Sequence, residues 1–269
     1  MKRVFGVGCL FFLWVAGPAF AEPVASSECA DCHSETDGDI AGVTEASLVG
    51  SAHEGFDCVD CHADIVELPH EEDLAPVSCG NCHSSEAEIY VGHGRVALGA
   101  DPDIPNCADC HGSHEIRPST DEASLVHSRN LPDTCGRCHR DTDLAKAHDI
   151  KLKRAVEVYE TSVHGHATLG GVLTFAASCN DCHSTGGTAH RILSPGDPAS
   201  TINHFNIPKT CGKCHEQIER EYWEGVHGQL TSRGETDSPV CTTCHGEHGI
   251  LQHDDPRARV SPTNTNFHQ

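Results

Sequence analysis

Residues 107–116 read CADCHGSHEI, and the first five letters form the pattern Cys-x-x-Cys-His. This pattern occurs eight times in the 269 residues and uses 16 of the 17 cysteines. The cysteine pairs are Cys29 and Cys32, Cys58 and Cys61, Cys79 and Cys82, Cys107 and Cys110, Cys135 and Cys138, Cys179 and Cys182, Cys211 and Cys214, and Cys241 and Cys244. The closing histidines are His33, His62, His83, His111, His139, His183, His215 and His245. A pattern repeated this completely decides how the chain folds.

A disulfide framework or a zinc site gives no reason for a histidine directly after every second cysteine. The pattern is instead the signature of c-type haem attachment, in which two thiols bind the haem covalently. The adjacent imidazole then becomes the proximal ligand of the iron. We therefore predict eight c-type haems, with these cysteines as the attachment sites and these histidines as the proximal iron ligands.

The remaining cysteine, Cys9, lies in MKRVFGVGCLFFLWVAGPAFAEP, residues 1–23. Two basic residues, an apolar run and a small-x-small site predict a signal peptide over 1–21, cleaved after Ala21. A lipoprotein site at Cys9 is the weaker interpretation, because Cys9 precedes most of the apolar run. We predict a periplasmic protein, with an extracellular location as the alternative.

Composition and charge limit the class of fold and partner. Without residues 1–21 the chain has 248 residues, with 16 basic and 40 acidic side chains. In the full sequence only 5% of residues are aromatic and 37% hydrophobic, which is little for an ordinary core. We expect little regular secondary structure, with short α-helices and loops wrapped around a core of packed haems. The negative charge argues against nucleic acid as a partner and favours a redox protein with a basic patch.

Two stretches without proline, 142–164 and 214–227, predict helices. The first separates five motifs from three. We therefore predict a five-haem part over 22–145 and a three-haem part over 146–269, which ends in a polar tail.

The motifs are of two types. Type I motifs begin at Cys29, Cys58, Cys107, Cys179 and Cys241. Type II motifs, in which glycine follows the first cysteine, begin at Cys79, Cys135 and Cys211. Their order predicts three doubled units, each a type I motif followed by a type II motif, with a single type I motif at each end.

Histidines before and after the type I motifs are the candidates for the second axial position of each iron. They are His53, His70, His93, His114, His164, His190, His227 and His248. His127, His166 and His204 are substitute candidates if one of these histidines is not an iron ligand. The sole methionine, Met1, belongs to the predicted signal peptide, which excludes the His/Met ligation that raises the potential. Irons held by two histidines are closed to substrate, so this ligand set favours electron transfer.

The stretches YETSVHG (159–165), CNDCH (179–183), INHFNIPKTCGKCH (202–215) and LPDTCGRCH (131–139) resemble multihaem c-type cytochromes with doubled CxxCH units. These include class III-like cytochromes and respiratory octahaem and decahaem cytochromes. The resemblance implies stacked and T-shaped haem pairs that pass electrons along a row. It also implies that distal ligands come from a histidine before a motif pair and one after its first motif.

These observations predict a periplasmic octahaem electron carrier of anaerobic respiration, without catalytic residues. Its expected partners are a quinol-oxidising membrane complex and a terminal reductase or outer-membrane conduit. One alternative is a multihaem reductase for nitrite, hydroxylamine or tetrathionate, which needs one iron with an open site. The other is a subunit of an extracellular haem filament, so an oligomer stays open.

Overall fold

The computed structural model describes residues 24–35, 42–71, 74–90, 103–148, 150, 154–170 and 176–265. The predicted signal peptide and the predicted ligand His93 lie outside the described residues. None of the described helices is both long and apolar enough to cross a membrane.

Short α-helices joined by loops form the described structure. The helices are α1 Ser26–His33, α2 Cys58–Cys61, α3 Ser84–Ile89, α4 Cys107–His111, α5 Leu131–His139, α6 Thr142–Ala147, α7 Ala155–Glu160, α8 Val163–Leu169, α9 Cys179–His183, α10 Ile207–Gly212, α11 Glu216–Glu224, α12 Val226–Ser232 and α13 Cys241–His245. Three 3₁₀ turns span Glu45–Leu48, Cys79–Asn81 and Thr185–Gly187. Within the described ranges there is no β-strand, only an isolated bridge between Ser184 and Ile192. The predicted fold of short helices and loops is confirmed.

The chain divides into two compact units. Described residues up to Thr44, together with Asp57–Val77, form the first unit, which contains α1 and α2. Glu45–Phe56 and the described residues from Ser78 onward form the second unit, which contains the other helices. The division into a five-haem part and a three-haem part stays a prediction.

The two stretches predicted as long helices are interrupted, so that prediction is wrong in its detail. Between α7 and α8 the backbone of Ser162 is extended, and between α11 and α12 that of Gly225 is extended. The cause is the close packing of each helix pair. A side chain at Gly165 would collide with the Tyr159 carbonyl, and one at Gly228 with the Tyr222 carbonyl. Glycine allows each pair of backbones to approach at these turns.

Each type I motif for which the bond is described forms a short helix that caps its own N-terminus. The residue before the second cysteine accepts a hydrogen bond from the backbone N–H of the residue before the first. Asp60, Asp109 and Asp181 accept over 2.8, 2.7 and 2.7 Å. Thr243 accepts the corresponding bond through its hydroxyl over 3.1 Å. These bonds satisfy backbone donors that a helix start otherwise leaves free, and so fix the cysteines on a rigid turn.

Two type II motifs follow a recurring turn. In the turn before Cys135, the Asn130 side chain donates hydrogen bonds to the carbonyls of Glu122 and Ser124, both over 2.8 Å. In the turn before Cys211, Asn206 donates to Pro198 and Ser200 over the same distance. Each turn leads into a helix with proline in its first turn, where the missing N–H costs nothing.

The same turn occurs a third time after the last motif. Asn264 donates hydrogen bonds to the carbonyls of Pro256 and Ala258, each over 2.8 Å. The turn is therefore a structural repeat of the chain in its own right.

The described structure has a small hydrophobic core. Its buried hydrophobic side chains are Leu131, Ala145, Val156, Tyr159, Leu193, Val240 and Ala258. The small core agrees with the low hydrophobic content of the sequence.

Candidate haem-binding sites

The structure brings five of the predicted proximal histidines to five of the predicted distal histidines. In the first unit the ring centres of His33 and His70 are 5.8 Å apart. In the second unit the pairs and their distances are His83 and His53 at 5.9 Å, His111 and His190 at 5.9 Å, His183 and His248 at 6.0 Å, and His215 and His164 at 6.3 Å. Each pair therefore joins one motif to one histidine outside the motifs.

The spacing of the rings fits a metal ion between them. An imidazole nitrogen lies about 2 Å from a metal ion that it coordinates, so two imidazoles on opposite sides of one ion have ring centres roughly 6 Å apart. The five observed distances, from 5.8 to 6.3 Å, agree with this value. The residues of this chain thus fit an iron held by two histidines.

Burial keeps several of these imidazoles in the form that binds a metal. Burial and the neighbouring rings of His190 and His83 lower the pKa of His111. Burial also lowers the pKa of His164 and that of His248. A histidine with a lowered pKa stays neutral at physiological pH, and neutral imidazole is the metal ligand.

For the other predicted ligands the pairing stays a prediction. His62, His114 and His139 have interactions of their own within the structure. His227 and His245 have no ring partner among the described residues. The three substitutes also lack a motif histidine as ring partner in the described part, where His204 instead packs against Phe205 with ring centres 5.1 Å apart.

All sixteen motif cysteines are free of disulfides. Instead, the first cysteines of successive motifs lie against each other. In the first unit Cys29 interacts with Cys58. In the second unit Cys79 interacts with Cys107, Cys135 with Cys179, and Cys211 with Cys241. The last contact lowers the pKa of Cys241 to about 7, whereas contact with Cys179, together with burial, raises the pKa of Cys135.

Between these pairs of first cysteines, the second cysteines of neighbouring motifs interact electrostatically. Cys110 interacts electrostatically with Cys138, and Cys182 with Cys214. In both places the two motifs are joined by a hydrogen bond, which a basic residue of the type II motif donates to a backbone carbonyl of the type I motif. Arg137 donates to Asp109 over 2.9 Å and Lys213 to Asp181 over 3.0 Å.

Six motifs of the second unit therefore form a continuous row in the order of the sequence. From Cys79 to Cys241, contacts between first cysteines alternate with the hydrogen bonds that Arg137 and Lys213 donate. The sequence predicted that each type I motif is doubled with the type II motif that follows it. This describes only half of the arrangement, because each type II motif also contacts the type I motif after it. The prediction of a single motif at each end is wrong: Cys29 contacts Cys58, and Cys241 contacts Cys211.

The three tyrosines of the chain hold type I motifs in place. Each hydroxyl donates to the carbonyl two residues before the first cysteine of a type I motif. Tyr90 donates to Pro105, Tyr159 to Ala177 over 2.8 Å, and Tyr222 to Pro239 over 3.0 Å. Burial raises the pKa of Tyr90 to about 12 and also raises that of Tyr159, so both hydroxyls remain donors.

The Tyr159 bond connects two neighbouring sites. Tyr159 lies in α7, and the next helix, α8, carries His164, which faces His215 of one motif. The hydroxyl of Tyr159 meanwhile anchors the segment before Cys179 of the preceding motif. The signal for this role in the sequence is that each of the three tyrosines lies shortly before a predicted ligand histidine.

We expect the substitution Tyr159→Phe to lower the free energy of unfolding by about 1 kcal/mol, because the Ala177 carbonyl and the Thr168 hydroxyl each lose a hydrogen bond. Chemical denaturation of the haem-loaded protein measures this change. Thr161→Val, an exposed change in the same segment, should stay within about 0.5 kcal/mol. Equal stability of the two variants would refute the anchoring role of the tyrosine.

The chain is similar to the C-type polyheme cytochrome OmcB of two Geobacter sulfurreducens strains. In each case it is 24% identical over 249 residues, a match that covers 86% of this chain and 30% of OmcB. The chain thus spans less than a third of the length of the curated relatives it matches. No protein-family model matches the chain, and no solved structure matches it.

Proposed function

Because the chain is a multihaem c-type cytochrome, we propose that it carries eight haems and passes electrons along them in the order of the sequence. The observation that carries this proposal is the row of six motifs from Cys79 to His245, each of which contacts the next through its first cysteine or through a hydrogen bond of Arg137 or Lys213. Groups attached to adjacent cysteines lie side by side, which is the arrangement that a relay requires.

Cysteines and histidines of the chain hold each haem in different ways. The two cysteines of a motif would tether it, and the histidine of the motif together with a paired histidine such as His70 or His190 would hold its iron. When bound, the haem iron supplies one-electron transfer. The motif helix keeps its tether rigid through its cap, so the distance between neighbouring sites stays fixed.

Ligation on both sides also decides the kind of chemistry. His53 and His83, like the other four pairs, would together hold one iron and would leave no position on it for substrate. His53 and His164 each precede a type I motif and face the histidine of the following type II motif. By the same rule His93, which precedes the motif at Cys107, would hold the iron at His139. Electron transfer therefore accounts for these sites better than catalysis does.

The location and partners belong to the same proposal. The predicted signal peptide supports export to the periplasm, where haem is attached to such motifs and where an anaerobic respiratory chain needs a carrier. The negative charge of −22 favours redox partners with a basic docking surface. A quinol-oxidising membrane complex would supply the electrons, and a terminal reductase or outer-membrane conduit would accept them.

A variant in which the row of motifs is interrupted tests this function. The double substitution Cys211→Ala/Cys214→Ala should remove one of eight haems, as mass spectrometry of the exported protein will count. It should also abolish most of the current that a single molecule carries between two electrodes, because the described row passes from the motif at Cys179 to the motif at Cys241 through the lost site.

The matched control is Cys29→Ala/Cys32→Ala, which also removes one haem but leaves the six-motif row of the second unit complete. Its current through that row should be close to that of the unchanged protein. A wild-type protein without eight haems would refute the proposed cofactor content. Equal currents in the two variants would refute the row.

A further inference from the structure

The five histidine pairs differ in the angle between the planes of their two rings. Where the motif is of type I, the planes are nearly parallel, at 8° for His33 and His70, 24° for His111 and His190, and 14° for His183 and His248. Where the motif is of type II, the planes are strongly tilted, at 69° for His83 and His53 and 53° for His215 and His164. In these five pairs the orientation of the rings therefore follows the type of motif.

The backbone of the motif histidine differs between the two groups in the same way. His33, His111 and His183 are the last residues of α1, α4 and α9. His83 and His215 lie outside a helix, with φ −97° and ψ 52° for the former and φ −102° and ψ 49° for the latter, and each directly precedes the next helix. Because the orientations open to a side chain depend on φ and ψ, the two groups present their rings differently.

At the most tilted pair a third ring packs on the distal histidine. Phe56 lies against His53 with ring centres 5.8 Å apart and planes at 89°, which is a T-shaped aromatic contact. The two residues belong to one turn, in which the Phe56 N–H donates to the His53 carbonyl over 3.1 Å. The His53 N–H donates to the Ser51 hydroxyl, also over 3.1 Å, so the backbone of the ligand is held as well. Rotation of the His53 ring into the plane of His83 would break its contact with Phe56.

The relative orientation of two axial imidazoles affects the electronic state of an iron between them, since axial ligands tune the potential. The π orbitals of parallel rings overlap with the same iron d orbital and raise it above its partner orbital. The π orbitals of perpendicular rings overlap with different d orbitals, which then stay close in energy. The electron lost on oxidation comes from the highest filled orbital. Parallel rings therefore favour the ferric state, and tilted rings favour the ferrous state by comparison.

We propose that Phe56 is a positioning residue, which fixes the tilt of His53 against His83 and thereby raises the potential of the iron at the Cys79 motif. The proposal rests on the proposed function, since it requires an iron between these two histidines. The potential is raised relative to the same site with parallel rings, because burial and charge also set the potential and differ from site to site. The first site of the six-motif row would thus retain an electron more firmly than its ligands alone require.

Electron paramagnetic resonance of the oxidised, haem-loaded protein distinguishes the two arrangements of ligands. An iron with parallel imidazoles gives a rhombic low-spin spectrum with well-separated lines, whereas one with strongly tilted imidazoles gives a single dominant line at low field. Difference spectra between wild type and ligand variants assign these signals to sites. His53→Ala should remove one haem from the low-field signal, and His248→Ala should remove one haem from the rhombic signal.

The decisive variant is Phe56→Leu, which keeps both ligands and an apolar side chain but removes the flat ring. Phe56 is half exposed, so the fold should be retained. One haem should move from the low-field to the rhombic signal, and a redox titration followed by the same resonance should show a lower midpoint potential for it. Phe205→Leu is the matched control, because Phe205 makes a T-shaped contact, with planes at 85°, to His204, which faces no motif histidine in the described part. It should leave every signal and potential unchanged.

A wild-type spectrum in Phe56→Leu would overturn the proposal, as would the loss of a rhombic signal in His53→Ala. A high-spin iron in Phe56→Leu would also overturn it, because Phe56 would then be required for ligation and not for the orientation of the ring. Mass spectrometry separates these results from a failure of the proposed function. Fewer than eight haems in the wild-type protein would count against that function itself, whereas eight haems with an unchanged spectrum in Phe56→Leu would refute only the role of Phe56.

Discussion

The chain made without haem attachment is expected to be unfolded, with most of its helical circular dichroism lost. The buried hydrophobic side chains of the described structure are few, and four of the seven are small, namely Ala145, Val156, Val240 and Ala258. So small a core cannot offset the ordering entropy of a chain of this length, at about 1 kcal/mol or more per residue. Covalent and iron–histidine bonds must supply the difference, as metal binding does in other small scaffolds.

Circular dichroism and hydrogen exchange of the chain expressed in cells that lack haem attachment, compared with the haem-loaded chain, measure this effect. The reduced haem-free chain is the appropriate sample, since disulfides formed between neighbouring cysteines such as Cys135 and Cys179 would otherwise stabilise it. A haem-free chain with the same helix content and slow exchange would contradict the expectation that the haems form the core.

The second large effect is expected at a single distal ligand. The substitution His190→Ala should convert one haem, the one on His111, from low-spin to high-spin and let it bind one carbon monoxide per chain. The reason is that removal of the imidazole opens one axial position of that iron. Electron paramagnetic resonance and carbon monoxide titration measure the change.

His166→Ala is the matched control, because His166 is exposed and lies two residues beyond the ligand His164. It should leave every haem low-spin. If His190→Ala left all haems low-spin as well, His190 would not be an axial ligand, and the ring pairing with His111 would have another cause.

Much of the site could be predicted from the sequence. The spacing within Cys-x-x-Cys-His is a local property, and the match between eight motifs and eight further histidines is a matter of counting. The structure places five of these histidines against motif histidines, including His53 and His70, whose surrounding sequence was the least regular.

The register of the pairs could not be predicted in the same way. His111 and His190 are far apart in the sequence, and no local pattern indicates which distant motif a given histidine will face. The order of the motifs in space depends likewise on contacts between distant cysteines, such as Cys135 and Cys179. The helix breaks at Ser162 and Gly225 follow from tertiary packing, which overrides the helical tendency of the two stretches.

The recurring asparagine-bonded turn, closed by Asn130, Asn206 and Asn264, has a consequence for how such a molecule can evolve. Each turn with its neighbouring motifs makes bonds mainly along its own stretch and to the adjacent site, as the modules of a solenoid do. Duplication or deletion of one such module would therefore lengthen or shorten the conductor while the rest of the molecule kept its shape. The distance over which the protein conducts electrons could therefore change by whole modules, without a change of fold.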